Sequence, residues 1–366
     1  MKILGIETSC DETAAAVVEN GRKLLSNVVS SSVDLHSAYG GVVPEIAARS
    51  HLEVILPVID QALQDAIAKS HKPKATSKKR VKDLGLKAHG SRLFDPWDQI
   101  DAIAVTQGPG LLGSLLIGVL TARTLAIAQN KPLYAINHVE AHVYASFLDS
   151  KPNFPLLALI VSGGHTQLVL FEAHNRYKML GQTLDDAVGE AYDKVAKILG
   201  FPYPGGPSIA EAAAKGNPRA FHLPAAKMQN PHDFSFSGLK TAVLRAAQTA
   251  SGHDFTFPST KLPKVLSGSQ KADLAASFQR AANQTLVAVL QKAITESQPA
   301  SVVMAGGVAA NKNLREMAQT SLSTEVIYPD FALCTDNAAM IAAAAFYNYK
   351  PVDWRRVTAN PELYFY

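Results

Sequence analysis

The stretch Leu156-Leu157-Ala158-Leu159-Ile160-Val161-Ser162-Gly163-Gly164-His165-Thr166-Gln167-Leu168-Val169-Leu170-Phe171 reads as two apolar runs of strand length around a short polar loop. Short apolar runs bounded by turn chemistry are typical of buried strands, so Leu156–Val161 and Gln167–Phe171 are expected to form a hairpin-like pair. The same figure opens the chain. There Lys2–Ile6 and Ala14–Val18 flank the loop Glu7-Thr8-Ser9-Cys10-Asp11-Glu12-Thr13. Both loops are rich in Gly or small hydroxyl residues, which let backbone N–H groups approach a phosphate. Ordinary turns use these residues too, so one such loop says little. Two in matching positions argue for a duplicated α/β architecture.

A third Gly-rich element follows the strand Ser301-Val302-Val303-Met304. Here Ala305-Gly306-Gly307-Val308-Ala309-Ala310-Asn311 is expected to open into a helix running through Leu314 and Met317. A strand, a diglycine turn and a helix start make a natural seat for a nucleotide. The element is not a GxGxxG fingerprint, and no GxxxxGK[ST] loop occurs. That excludes a dinucleotide-binding Rossmann enzyme and a P-loop NTPase on sequence grounds.

Between the two hairpins lies Asn137-His138-Val139-Glu140-Ala141-His142-Val143-Tyr144, with two imidazoles four residues apart. On a helix these rings lie one above the other on a single face, close enough to share one metal ion. Two histidines on an amphipathic helix are the plain alternative. A zinc-protease HExxH motif is excluded. Its base glutamate follows the first histidine directly, whereas Glu140 is displaced from His138 by about 200° around the helix. A metal here needs a further ligand from elsewhere, and a carboxylate would leave an open position for a substrate oxygen.

The 366 residues, 47% hydrophobic and 18% charged, describe a globular protein with a substantial core. Two cysteines, Cys10 and Cys334, give no disulfide framework. There is no run of eighteen apolar residues, and Met1 leads directly into a strand pattern, so a cytoplasmic protein without a membrane span is expected. The net charge of +4 is mild but unevenly placed. From Lys69 to Arg92 nine Lys or Arg (Lys69, Lys72, Lys74, Lys78, Lys79, Arg80, Lys82, Lys87, Arg92) face the single acid Asp83. The run reads as a basic loop, either simply solvated or in contact with nucleic-acid phosphates.

Two phosphate loops in duplicated halves plus a diglycine loop resemble the actin, sugar kinase and Hsp70 superfamily. Ten strings narrow the resemblance: GIETSCDETAAAVV (5–18), YGGVVPEIAARSH (39–51), TQGPGLLGSLLIG (106–118), NHVEAH (137–142), VSGGHTQL (161–168), DDAVGEAYDKVAKILG (185–200), YPGGP (203–207), FSFSGLKTAV (234–243), MAGGVAANKNLR (304–315) and CTDNAAMIA (334–342). In this order they resemble the TsaD family, formerly the glycoprotease family, in its bacterial and organellar branch. The departures are the Lys69–Arg92 run and an extra stretch near Ser251–Gln270.

The resemblance implies two lobes, residues 1–150 with a basic insertion at 69–95 and residues 151–366. The last helix is expected to pack back on the first lobe, with nucleotide and metal in the cleft. The implied activity moves a threonylcarbamoyl group from threonylcarbamoyl-AMP to the exocyclic amine of adenosine 37 in ANN-decoding tRNAs. The implied metal ligands are His138, His142 and Asp336, holding iron or zinc, which the ligand types alone do not separate. Read alone, Asp336 is rather an N-cap for the alanine-rich helix after it.

Implied substrate residues are Ile160, Val161, Ser162, Gly163 and Gly164 on the phosphate and carbamoyl side, and Asp193, Gly206 and Asn311 on the nucleotide. In isolation, Asp193 reads as a surface partner of Lys194 and Gly206 as a turn glycine. Asp11 and Glu12 are the candidate acceptors of the amine proton. The implied partners are tRNA, a paralogous TsaB subunit and the ATPase TsaE. The alternative is an ATPase or sugar kinase of the same fold, using magnesium with ATP and leaving the helix histidines structural. A non-catalytic scaffold would lack the set His138, His142 and Asp336, which this chain has.

Overall fold

Lys2–Glu7 (β1) and Glu12–Glu19 (β2) pair antiparallel, with Ile6 opposite Ala15 and Lys2 opposite Glu19. The computed structural model describes residues 1–70 and 95–364. Lys23–Ser31 (β3) adds antiparallel to β2, while Ala102–Gly108 (β4) and Leu133–Asn137 (β5) continue the sheet in parallel on the other side of β1. The second half repeats this plan. Leu156–Val161 (β6) and Thr166–Ala173 (β7) form the antiparallel pair, Arg176–Gln182 (β8) flanks β7, and Ser301–Ala305 (β9) and Val326–Ile327 (β10) extend from β6 in parallel. Among the described residues the sheet orders are β3-β2-β1-β4-β5 and β8-β7-β6-β9-β10, the same topology twice. The expected hairpins and the strand at Ser301 thus form, each within a residue or two of its expected bounds.

The helices, in chain order, are Val33–Ser37 (α1), Pro44–Ser70 (α2), Leu112–Ala128 (α3), His138–Asp149 (α4), Val188–Leu199 (α5), Gly205–Ala213 (α6), Ser237–Ala250 (α7), Leu262–Val265 (α8), Gly268–Ser297 (α9), Lys312–Ser321 (α10) and Ala338–Asn348 (α11). Helices α2 and α3 cover one face of the first sheet, packing on Leu4, Ile6, Ala15, Val17, Ile103 and Val105. Its other face, including Ile3, Ala14, Ala16 and Ala104, shares one apolar cluster with α4, α11 and the β6 residues Leu156, Ala158 and Ile160. The outer face of the second sheet packs on α5, α6, α7 and α9.

Helices α4 and α11 therefore lie between the two sheets, and their sequences say why. From Ala338 to Ala345 every residue of α11 is buried, and a helix apolar all round has no solvent face. The approach is close: a Cβ on Gly5 would stand 2.2 Å from the Ala338 carbonyl oxygen, so β1 can meet α11 only through glycine.

One local expectation needs adjustment. The diglycine turn does not open straight into a helix. Gly307–Ala310 form a single 3-10 turn, and α10 begins only after Asn311, whose side chain accepts from the Leu314 N–H at 3.0 Å and so fixes the helix start. Most of the basic run, Lys72 to Arg92, lies outside the described residues. Lys69, at the end of α2, donates to the Leu24 carbonyl at 3.2 Å. Among the described residues no helix is long and apolar enough to cross a membrane.

Candidate metal centre and nucleotide cleft

Helix α4 starts where it does because Asn137 caps it, its Oδ1 accepting from the N–H groups of Val139 and Glu140 at 2.9 and 3.1 Å. His138 and His142 then share a face, with ring centroids 4.8 Å apart. The Nε2 atoms of both lie 3.5 Å from Asp336 Oδ1. That separation exceeds a good hydrogen bond, and neither ring nitrogen of His142 has a hydrogen-bond partner although both are buried. It matches what two ligands of one ion require, since metal bonds near 2.0–2.1 Å in a tetrahedron place neighbouring ligand atoms about 3.4 Å apart. The residues present fit a divalent ion.

Asp336 is not the N-cap of α11. Asn337 takes that place, accepting from Met340 N–H at 3.0 Å and donating to the carbonyls of Leu333 and Thr335. The neighbouring Asp336 carboxylate faces the imidazoles instead. Burial would raise it, but His138 and His142 hold it below the usual carboxylate range.

Sequence reasoning missed Glu7, which is fully buried at the end of β1. Its Oε2 lies 2.9 Å from His138 Nδ1 and accepts from the Thr106 hydroxyl at 2.5 Å, while Oε1 accepts from Ser9 N–H at 2.5 Å. A carboxylate on Nδ1 fixes the tautomer that presents Nε2 to a metal. Burial opposes charge on the His138 ring, yet Glu7 and Asp336 together push it up to about 9. The available signal was an acid ending a continuous apolar strand, where burial without a partner is costly.

The first loop is held by its own carbonyls. Cys10 O accepts from His51 Nε2 at 2.9 Å and from the Ser114 hydroxyl at 3.1 Å, and Asp11 O accepts from the Ser32 hydroxyl at 2.8 Å. His51 is bonded on its other nitrogen to Thr13 at 2.7 Å. The His51 and Ser114 braces come from the 39–51 and 106–118 strings, so those motifs help shape the loop that carries Asp11 and Glu12. Burial, Asp336 and Asp11 raise the Glu12 carboxyl well above its ordinary range, which places the loop in the field of the metal-ligand group.

In the second loop, Ser162 N–H donates to His165 O at 2.8 Å, and the Ser162 hydroxyl accepts from His165 N–H at 3.1 Å. Ile160 and Val161 sit with their side chains wholly in the β6 core, so only their backbone can serve a ligand. The glycines divide into two groups. A Cβ on Gly189, Gly205 or Gly306 would collide with protein backbone at 2.5 Å or less, so these are packing glycines. On Gly163, Gly164, Gly206 and Gly307 it would meet nothing within 4 Å.

Asp193 on α5 accepts from Gly205 N–H at 2.6 Å, and burial, opposed by that bond, raises its carboxyl to about 6, with Glu190 and Asp11 adding to the rise. It does not pair with Lys194, which binds Asp186 at 2.7 Å and Glu190 at 2.9 Å. After burial, Asp11 and Asp193 together raise the Tyr203 hydroxyl, so the charges of the first loop and of α5 act on the Tyr203–Gly206 turn. Asn311 is partly engaged: besides capping α10 it donates one amide N–H to Gln279 Oε1 at 3.0 Å, leaving a second N–H for a ligand. His165 was also missed. Burial and the two metal-helix histidines lower it to about 4, so it is neutral and close to the metal-ligand group.

A five-stranded sheet topology that occurs twice along the chain, with a Gly-rich or hydroxyl-rich loop inside each antiparallel pair, defines a protein of the actin, sugar kinase and Hsp70 fold class. Full-length HypF in its phosphate- and nucleotide-bound form superposes with a TM-score of 0.52 at 12% identity, over 94% of this chain and 46% of that one, a likeness of fold alone. A family model described as TsaD, tRNA N6-adenosine threonylcarbamoyltransferase, matches residues 23–75 and 96–343, and the chain belongs to that family. Curated relatives carry the same description. One from Symbiobacterium thermophilum is 51% identical over 352 residues, covering 95% of this chain and 92% of the relative. Another from Thermomicrobium roseum is 48% identical over 363 residues, again covering 95% and 92%. A kinase-like ATPase is not favoured.

Proposed function

We propose that the chain transfers a threonylcarbamoyl group from threonylcarbamoyl-AMP to the exocyclic amine of adenosine 37 in ANN-decoding tRNAs. The observation that carries this reading is the convergence of His138, His142 and Asp336 within 4.8 Å, beside loops whose glycines open onto empty space. His138, His142 and Asp336 would hold one zinc or iron ion. When bound, it supplies a Lewis acid to polarise an oxygen of the mixed anhydride. Glu7 keeps His138 in the tautomer that leaves Nε2 for that task. Backbone N–H groups of Gly163 and Gly164 hold the charge of the departing AMP without rearranging, while that of Ser162 is engaged by His165 O. Of the two acids in the first loop, Asp11 accepts the proton of the attacking amine. Glu12, which burial, Asp336 and Asp11 push up to about 10, stays protonated at neutral pH and serves as a hydrogen-bond donor.

On the nucleotide side, the Asp193 carboxylate accepts from ribose hydroxyls, Asn311 donates its remaining N–H, and Gly206 lets the base lie against the backbone. Gly206→Val puts a branched side chain into this space and is expected to weaken AMP binding at least tenfold with metal content unchanged. Calorimetry giving unaltered affinity would place the adenosine elsewhere. A pH test addresses Asp193. Its carboxyl is ionised at pH 7.5 and takes up a proton as the pH falls through about 6. The protonated form is the poorer acceptor, so affinity should fall about fourfold from pH 7.5 to pH 5.5 and be flat in Asp193→Asn. Adenosine is the probe, because the AMP phosphate titrates in the same window. An identical slope in the variant would exclude this role.

The paralogous TsaB subunit is assigned to the outer face of the first lobe. Leu52 and Leu56 on α2, and Leu112, Leu116 and Leu120 on α3, are exposed at four-residue spacing on neighbouring helices. Such stripes suit a second helix pair. The test of the whole reading is to incubate the purified chain with threonylcarbamoyl-AMP and unmodified tRNA, with and without TsaB and TsaE, and to assay the modified nucleoside by mass spectrometry. No modified nucleoside under either condition would overturn it.

A further inference from the structure

Glu140 stands in the metal helix without a part in the chemistry above. It is buried, with 3% exposure, and at about 200° from His138 it points away from the metal side of α4. Its carboxylate accepts from the Asn348 side-chain amide and from the Tyr349 hydroxyl, the latter at 2.6 Å. The Tyr349 oxygen also accepts from the backbone N–H of Asn137 at 3.0 Å, so one phenol ties the helix cap to the first turn. Asn348 is itself anchored, its Oδ1 accepting from Asn175 N–H. A carboxylate in so dry a place carries a desolvation cost that an apolar side chain would avoid. What it provides instead is a fixed geometry.

The placement of α11 shows what that geometry serves. Asp336 precedes the first turn of α11, and Asn348 and Tyr349 stand at its last. The segment thus meets α4 from two sides, its start at the imidazoles and its end at Glu140. Rotating α4 by about 10° would move a ring nitrogen some 6 Å from the helix axis by about 1 Å, several times the ~0.2 Å tolerance of a metal bond.

We propose that Glu140, Asn348 and Tyr349 form a latch that sets the rotation of α4 against α11 and so keeps His138 and His142 at ligand distance from Asp336. They are positioning residues and touch no reacting group. The inference rests on the metal reading of the three ligands.

The test measures zinc affinity of the full chain by competition with a chromophoric chelator, and the visible spectrum of the cobalt-loaded protein, for Tyr349→Phe, Glu140→Gln and Glu140→Ala. The control is Leu290→Ala, which opens a cavity in the distant core of the second lobe. Tyr349→Phe is expected to weaken zinc about tenfold and Glu140→Ala up to about a hundredfold, with altered cobalt bands and partial recovery in Glu140→Gln. Leu290→Ala should lower Tm and leave the zinc affinity and cobalt spectrum as in the parent chain. Parental zinc affinity in both Tyr349→Phe and Glu140→Gln would overturn the latch. Equal weakening in a Leu290→Ala protein of matched Tm would also overturn it, since lost stability would then account for the effect. A parent chain that binds no zinc would instead overturn the metal reading beneath it.

Discussion

His142→Ala loses most of its bound metal and about 100- to 1000-fold of the transfer rate while keeping its fold. The rate follows from what a Lewis acid contributes, several kcal/mol of charge stabilisation at tenfold per 1.36 kcal/mol. The fold survives because neither ring nitrogen makes a hydrogen bond, and the Asp336 carboxylate beside it keeps His138 at 3.5 Å and partial contact with solvent. His138→Ala should lose metal equally but stability as well, because Glu7 then keeps its carboxylate in the core without the ring. Metal analysis, circular dichroism and the mass-spectrometric assay read the three quantities separately. Full metal content and full activity in a His138→Ala, His142→Ala double variant would end the metal hypothesis.

Glu7→Gln gives the second large effect. The amide retains one acceptor oxygen where the carboxylate has two, and its NH2 group is turned toward at least one of Ser9 N–H, the Thr106 hydroxyl and His138 Nδ1, all of which now donate to or share a proton with Glu7. Unsatisfied buried groups of this kind cost about 1–3 kcal/mol of stability. Partners that orient a ligating histidine are typically worth 10- to 100-fold in metal affinity, and a loss in that range is expected here. Denaturant melts and chelator competition measure the two. A Glu7→Gln protein that binds zinc as tightly as the parent chain would show that the Glu7–His138 contact serves folding alone.

The fold was legible because its signal is local and doubled. Apolar runs at Lys2–Ile6 and Leu156–Val161, each followed by a small-residue loop and a second run, encode a hairpin without reference to the rest of the chain, and the repeat encodes the architecture. The imidazole pair was legible for the same reason, since i and i+4 are neighbours on any helix. Asp336 was not: its sequence context reads as a cap, and only the placement of Asn337 in that role turns it to the metal side. Glu7 was invisible as a brace because its partners lie 99 and 131 residues away. Asn311 shows a different limit. Its residue type suits both a cap and a ribose contact, and no pattern in the string reveals that one donor is already taken by Gln279. For Ile160 and Val161 the motif fixed the place but not the face, and burial restricts them to backbone contacts.

The place of Asp336 just ahead of α11, near the end of the chain, has a bearing on how the protein is made. Chains emerge from the ribosome N-terminus first, at about 5–20 residues per second, and His142 is synthesised about 190 residues ahead of Asp336. During that interval of roughly ten to forty seconds the first lobe can build its sheet, but the strip of its surface destined for α11 stays bare and the histidines have no carboxylate to complete them. On the proposed metal reading, the set of three ligands is complete only late in synthesis. Any product cut short before Asp336 keeps both imidazoles but lacks the carboxylate that faces them, and it leaves open the apolar seam that α11 covers.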